Sequence, residues 1–364
     1  MKRRTRRLFF YSLVVLFAVA GPLIVAYSFG YTYDVTRARF RQNGGIFIKS
    51  KISGISVFLD GAFIRETGLI VGSTLLTDVP PASHLVRLEK QGYRAWSKVV
   101  KVDPALVTEL RSVMLVPSPV PLATATPEEI AEVSATTTAS IVLSQDHNGN
   151  LIQSIGATRR LIAANVHSYG IAAGIVFFVD KNGFFARYDT FARTTDTIGR
   201  PGFYLTPRPV QFIPSPSGNV VVILDSSGGL FIFQDSTREI HPIAGGIHAI
   251  AFDSQEEKLL MQKERGIDVL FLKENKFQPF EKAGSIENVL TTEHAVKESA
   301  WFYRDDAHIV FRTADGIFFT EIDARGGRNT TELAADTASN LMTSRAIPNA
   351  IFFRKGKATY KIEL

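Results

Sequence analysis

The chain has 364 residues, 45% of them hydrophobic, a formal net charge of +6 and no cysteine, enough for two folded domains plus segments that are not globular. The absence of cysteine excludes disulfides, thiolate metal sites, a cysteine nucleophile and a lipid-modified cysteine. Lys2, Arg3, Arg4, Arg6 and Arg7 alone supply five positive charges, so the remainder is nearly neutral and lacks the basic stripe that phosphate neutralisation demands; a nucleic-acid partner is set aside.

From Leu8 to Phe29 the chain carries no charge, and as a helix it would span about 33 Å, close to a bilayer core. Leu8, Phe9, Leu13, Val14, Leu16, Phe17, Leu23, Ile24 and Val25 are the expected lipid-facing anchor residues. The cations of residues 1–7 sit immediately before this run. Positive flanks stay in the cytoplasm, so a single-pass helix over 8–29 would send Asp34 and everything after it outward. Tyr27, Tyr31 and Tyr33 stand where an interfacial aromatic belt belongs. Pro22 and Gly21 would kink the helix, which membrane helices tolerate. Two alternatives remain at this point. Ala18-Val19-Ala20 has the small-x-small form of a signal-peptide cleavage site, although the apolar run continues beyond it; a buried helix of a soluble domain leaves the five adjacent cations unexplained.

Residues 44–116 change character, with short alternating runs such as Gly45-Ile46-Phe47-Ile48-Lys49 and Ser56-Val57-Phe58-Leu59-Asp60. Period-two alternation puts every second side chain on one sheet face. Asp60-Gly61 marks a hairpin turn and Val79-Pro80-Pro81 a break; alternation resumes at Leu85–Glu89, Ser97–Val102 and Thr108–Leu115. These strands predict a small β-sandwich. The Gly-led strand, then Val57-Phe58-Leu59-Asp60-Gly61, then a Pro-containing turn, then His84 through Gly92-Tyr93 and Trp96, resemble the PEGA domain family. Ser53-Gly54-Ile55 replaces that family's namesake run, and Pro81-Ala82-Ser83 its usual Pro-Gly. The resemblance implies a β-sandwich module of surface and envelope proteins and supplies no catalytic residue. Gly92-Tyr93 and Trp96 are expected to make a turn and to pack on the sheet rather than to stack on a ligand.

Residues 117–139 are rich in Pro, Thr and Ala. This composition predicts an extended tether holding two domains apart, with one helical turn over Pro127 to Val133, where Glu128 and Glu129 suit a helix N-terminus.

From 140 to 364 one pattern recurs: an apolar strand, a Gly-containing polar turn, and a second apolar strand rich in aromatics. Five copies are clear, centred on the turns Asn182-Gly183, Gly228-Gly229, Gly266, Asp315-Gly316 and Lys355-Gly356, and a weaker sixth runs from Ile141 through Asn148-Gly149 to Ile152. Successive turns fall roughly 34 to 50 residues apart, the spacing of propeller blades. The turns Phe212 to Asn219 and Ala300 to Ala307 resemble those of TolB-like and WD40-like propellers. The expected fold is mainly β: an N-terminal transmembrane helix, a PEGA-like sandwich, a Pro-rich linker and a propeller of about six blades, with a second sandwich or an open array as the alternative.

No metalloprotease, nucleophile-elbow or phosphate-loop motif occurs. Asp146-His147-Asn148-Gly149-Asn150 begins like a calcium loop, but Leu151 and Ala157 occupy its Gly and Glu positions, so a hairpin turn is the better reading. His248 and His308 are read as packed strand residues, and Asp305-Asp306 as solvated turn carboxylates that point apart. No catalytic, cofactor or metal site is expected. The function expected is extracytoplasmic binding or scaffolding in the cell envelope, recognising a protein or a cell-wall glycan. Alternatives are an anchored propeller hydrolase acting on glycan or peptide, and a purely structural subunit of a membrane complex.

Overall fold

The computed structural model describes residues 3–34, 39–68, 72–134, 142–156, 158–200, 210–335 and 339–364. Helix α1 (Arg3–Ser28) takes up the apolar run, passes through Pro22 and has no buried residue. Its most apolar window has a mean hydropathy of 2.5, long and apolar enough to cross a membrane. A two-stranded hairpin follows, Tyr31–Asp34 paired with Arg39–Gln42, in which the rings of Tyr33 and Phe40 meet edge to face at 5.1 Å.

Two sheets then form the expected sandwich. One has the order Ser73–Val79, Gly44–Ser50, Val107–Val113; the other Ala62–Glu66, Ser56–Leu59, Ser83–Glu89, Trp96–Lys101. Alternation decides which face is buried: His84, Val86 and Leu88 point in from one strand, and Trp96, Lys98 and Val100 from its neighbour. Ile46, Ile48, Val57, Val86, Leu88 and Leu110 fill the core. Asp60 and Gly61 both adopt positive φ, as a tight hairpin turn requires. Buried His84 holds that turn, with Nδ1 at 2.6 Å from the Asp60 carboxylate and Nε2 at 2.7 Å from the Pro80 carbonyl.

The remaining strands form consecutive antiparallel meanders: one three-stranded sheet over 142–163 and four-stranded sheets over 166–199, 210–244, 247–291 and 298–335. The last sheet holds Ser339–Thr343, Ala350–Lys355 and Ala358–Glu363, and its outer edge is Leu122–Thr124, from ahead of the first sheet. Both ends of the array are thereby tied into one sheet, the closure a propeller needs. The apolar strands flanking the five clear turns prove to be the middle strands of their sheets. Their burial is continuous rather than alternating, as in Ile175–Asp180, Val220–Asp225 and Lys258–Lys263, because each sheet is covered on both faces. Separate apolar clusters join one sheet to the next, for example Phe177, Phe185, Phe212 and Phe233, then Leu260, Val269, Trp301 and Ile309. Trp301 adds a polar tie, its indole N–H donating to the Ala251 carbonyl of the preceding sheet at 2.8 Å.

Three turns share a device absent from the apolar pattern. Asp146, Asp180 and Asp225 each accept two backbone N–H groups across the turn, at 2.8 to 2.9 Å, three residues before a glycine at positive φ. The Asp146 loop is thus a hairpin turn. Ile141, at the start of the weak sixth repeat, lies outside the described residues.

The segment expected to be an extended tether with one helical turn does carry a helix at Pro127–Ser134, but it is built into the fold instead of holding two domains apart. Just ahead of it, Met114 and Val116 at the end of the sandwich are buried with Phe302, Ile351 and Ile362 of the last two sheets. Leu122 pairs with Ile362, and α2 (Pro127–Ser134) starts with a reciprocal cap, Thr126 N–H to Glu129 and Glu129 N–H to Thr126 Oγ1. Ile130 and Val133 pack on Phe352 and Ala350, and Lys361 meets Glu129 at 2.6 Å. Residues 135–141 are outside the description. The proline-rich composition failed as a guide because its few apolar residues bury against a sheet already made by others.

The sandwich therefore does not stand apart from the propeller. Two of its edge strands, Trp96–Lys101 and Val107–Val113, meet loops of the fifth and fourth sheets of the array respectively. Lys98, with a side chain 0% exposed, reaches Glu321 at 2.7 Å and the carbonyls of Asp323 and Gly327 at 2.8 and 3.1 Å. The loop after Glu321 approaches so closely that a Cβ on Gly326 would lie 1.9 Å from the Val99 carbonyl oxygen. At the other edge the Gln278 amide donates to the Val107 carbonyl and accepts from Glu109 N–H, at 3.0 and 3.1 Å, standing in for a neighbouring strand. Replacing Lys98 with Ala strands the buried Glu321 carboxylate, so the full-length chain should lose about 3–5 kcal/mol of unfolding free energy. The double replacement Lys98→Met with Glu321→Gln should lose less, as denaturant titration in detergent will read.

Candidate junction cleft

Between the sandwich and the propeller lies a cleft of about 420 Å³, within the range of small-ligand pockets. Trp96 and Arg111 wall it from the sandwich, Asn275 to Pro279 from a loop of the fourth sheet, and Asp305, Asp306 and Glu321 to Arg325 from the fifth. Arg111 is held by a bidentate pair with Glu109 at 2.6 and 2.8 Å and lies 4.3 Å from the centre of the Phe277 ring. Arg325 bridges the walls: it pairs with Asp323 at 2.7 Å, meets Gln278 at 2.9 Å, and donates to the Glu109 carbonyl at 2.7 Å. Trp96 is buried in the sandwich core, as packing predicts, and its indole N–H also reaches Glu321 at 3.3 Å. One wall is ion-paired; the other carries Phe277, exposed by 55%.

The Asp305-Asp306 pair corrects the sequence reading. The two do point apart, but neither is solvated. Asp305 accepts from the Ala307 N–H at 3.0 Å and sits 2.8 Å from His308, whose buried ring stacks on Phe319 at 4.7 Å. Asp306, at positive φ, accepts from Ser254 of the preceding sheet through both N–H and hydroxyl. Burial works against the charge on Asp305, yet the neighbouring His308 and the Ala307 N–H outweigh it and hold the carboxyl below its usual range. Burial dominates at Asp306 and, with Asp253 nearby, pushes its carboxyl up. His308 is packed, as expected, whereas His248 is exposed on its strand. Among the described residues no group of three or more His, Asp or Glu is placed to hold a metal ion.

The anchor residues lie far from this cleft in sequence and stay on α1. Leu8, Phe9, Leu13, Val14, Leu16, Phe17, Leu23, Ile24 and Val25 are all exposed, Phe17 by 80%. Arg3, Arg4, Arg6 and Arg7 occupy its exposed first turns, and Lys2 is outside the described residues. The cleft residues escaped sequence reading because no motif links them. One signal was available: Lys98 is a charge on the inward parity of Trp96 and Val100, a hint that this edge meets something other than water.

The opposite shifts of the two aspartates have opposite consequences. Asp305, its carboxyl lowered in the fold, adds stability at neutral pH that disappears as pH falls below about 4. Asp306, raised, opposes folding once pH exceeds that range. Asp305→Asn should therefore lower the denaturation midpoint at pH 7 more than at pH 3.5, while Asp306→Asn should leave it unchanged or raise it at pH 7.

A comparison with curated proteins gives no match. Two solved structures are similar at low scores. The β-propeller domain of Myceliophteria thermophila Cps50 (Swd1) has a TM-score of 0.33 and 10% identity, with 62% of this chain and 93% of that one covered. An oligogalacturonate lyase in complex with manganese has a TM-score of 0.38 and 11% identity, with 64% and 67% covered. The sandwich is identified directly: residues 43–116 match the PEGA domain family, so this chain carries a PEGA domain docked on a propeller-like array.

Proposed function

We propose that the protein is a single-pass, membrane-anchored binding or scaffolding protein of the cell envelope, with its basic N-terminus cytoplasmic and its folded part outside. The membrane reading draws on α1, wholly exposed and apolar, with a basic start. The binding reading is carried by one observation: a PEGA domain locked to the propeller by buried Lys98 and Glu321, with a ligand-sized cleft left open beside that lock. An ion-paired wall reduces the ordering cost of binding, and an arginine stacked on an aromatic ring supplies both an apolar and a polar contact. An envelope protein segment or a cell-wall glycan strand is the partner we infer. The hydrolase alternative draws on Asp305 and Asp306, two carboxyls at the cleft pushed in opposite directions. Both already have structural partners, so binding is the reading adopted.

The test is retention of residues 44–364 on isolated envelope, with and without protease treatment of the envelope. Saturable retention should fall about tenfold in Arg111→Ala with Phe277→Ala, equivalent to about 1.4 kcal/mol, while the unfolding midpoint stays near that of the parent. Protease sensitivity identifies a protein partner and resistance a glycan. No retention sinks the binding reading; turnover of glycan or peptide abolished by Asp306→Asn would install the hydrolase in its place.

A further inference from the structure

The geometry points to a second contact with the membrane: the PEGA domain stands end-on against the bilayer, touching the lipid headgroup layer with the paired strands Tyr31–Asp34 and Arg39–Gln42 and with the Asp103–Leu106 turn. The inference rests on α1 being a membrane anchor. It goes beyond that reading by fixing the orientation of the folded domains.

A continuous chain of hydrogen bonds joins the helix end to the sandwich. α1 ends at Ser28, and Gln42 donates its side-chain amide to the Phe29 carbonyl at 3.0 Å. Asn43 N–H then donates to Gly30 O at 2.8 Å, Asn43 Nδ2 to Thr32 at 3.0 Å, and Ala105 N–H to Asn43 O at 3.1 Å. Gly45 N–H closes the chain on Leu106 O at 2.9 Å. Asn43 itself is 6% exposed. The helix end, the hairpin and one end of the sandwich are thus joined through a buried residue rather than through a loose linker.

That end exposes four large apolar side chains beside the exposed Lys101–Asp103 ion pair. Tyr31, Tyr33 and Phe40 are exposed by 42%, 52% and 60%, and Leu106 by 60%. In the hairpin register Tyr33 opposes Phe40 and Tyr31 opposes Gln42, so the period of two puts these residues on one face, while Thr32 faces Asn43 on the other. At ~3.3 Å per strand residue, Tyr31 to Tyr33 lie within about 10 Å of the helix end, and the headgroup layer on each side of a bilayer core is roughly 5–8 Å thick. Amphipathic tyrosines favour that layer.

The strand directions supply the axis. Gly44–Ser50 and Val107–Val113 run parallel and away from the helix end, and Ser83–Glu89 runs the same way, because Ala82 O bonds Val102 N–H beside the Asp103 turn. The Lys90–Gly92 turn is therefore at the far end, about 23 Å away along a seven-residue strand.

Because the chain has no cysteine, single labelling sites are clean. The full-length variants Leu13→Cys, Tyr33→Cys, Leu106→Cys and Gln91→Cys would each carry an environment-sensitive fluorophore in phosphatidylcholine–phosphatidylglycerol vesicles doped with nitroxide lipids. We expect the Leu13 label to be quenched by deep acyl-chain nitroxides. The Tyr33 and Leu106 labels should be quenched by headgroup nitroxides at least twofold more than the Gln91 label. If Leu13 is quenched while Tyr33 and Leu106 match Gln91, the end-on contact is overturned and the anchor stands. Quenching at Tyr33 without Leu106 also overturns it, since the domain then stands clear of the lipid. An unquenched Leu13 label brings down the anchor and this inference together.

Discussion

A lysine ammonium removed wholly from water must be met by a full set of acceptors, and Lys98 finds them only on the propeller. Glu321 and the carbonyls of Asp323 and Gly327 surround its Nζ, and Glu321 is further held by the N–H and amide of Asn329. The desolvation penalty of such a pair makes it poor glue but a strict constraint on geometry, since either partner alone is costly. With Lys98 so held, the edge strand that carries it cannot part from the Asp323–Gly327 loop, and the close approach of Gly326 to the Val99 carbonyl follows.

Edge protection explains much of what surrounds that contact. A free sandwich would expose two strand edges on this side, each a row of unpaired N–H and C=O groups. The propeller covers one with the loop around Gly326 and the other with the Gln278 side chain, which copies strand hydrogen bonding with an amide. Arg325 then ties both covers together. The cleft is what remains between these two supports.

The same logic runs along the chain toward α1. Asn43 does at the helix end what Lys98 does at the propeller, joining two elements through one buried residue, here mainly by its backbone N–H and carbonyl with its side-chain amide on Thr32. The Pro-rich segment, in turn, closes the array by adding Leu122–Thr124 to the last sheet. Three junctions that composition alone would leave flexible are each fixed by a few directional bonds.

The sequence by itself determined the local elements. Leu8–Phe29 had to be a long apolar helix, the Asp60-Gly61 hairpin and the strands flanking it had to alternate, and the apolar runs at Ile175, Val220, Lys258, His308 and Ala350 had to be strands buried on both faces, because each depends on neighbours close in the chain. The outer strands, such as Thr194–Gly199, carry mixed exposure and no such signal, so they were legible only as spacing. Tertiary structure alone decided the docking of the PEGA domain, the burial of Asp305 and Asp306, the absorption of the proline-rich segment, and the cleft. The physical reason is distance along the chain: Lys98 and its Asp323 acceptor are 225 residues apart. No local pattern records which charge will be stripped of water until the surfaces that strip it have met.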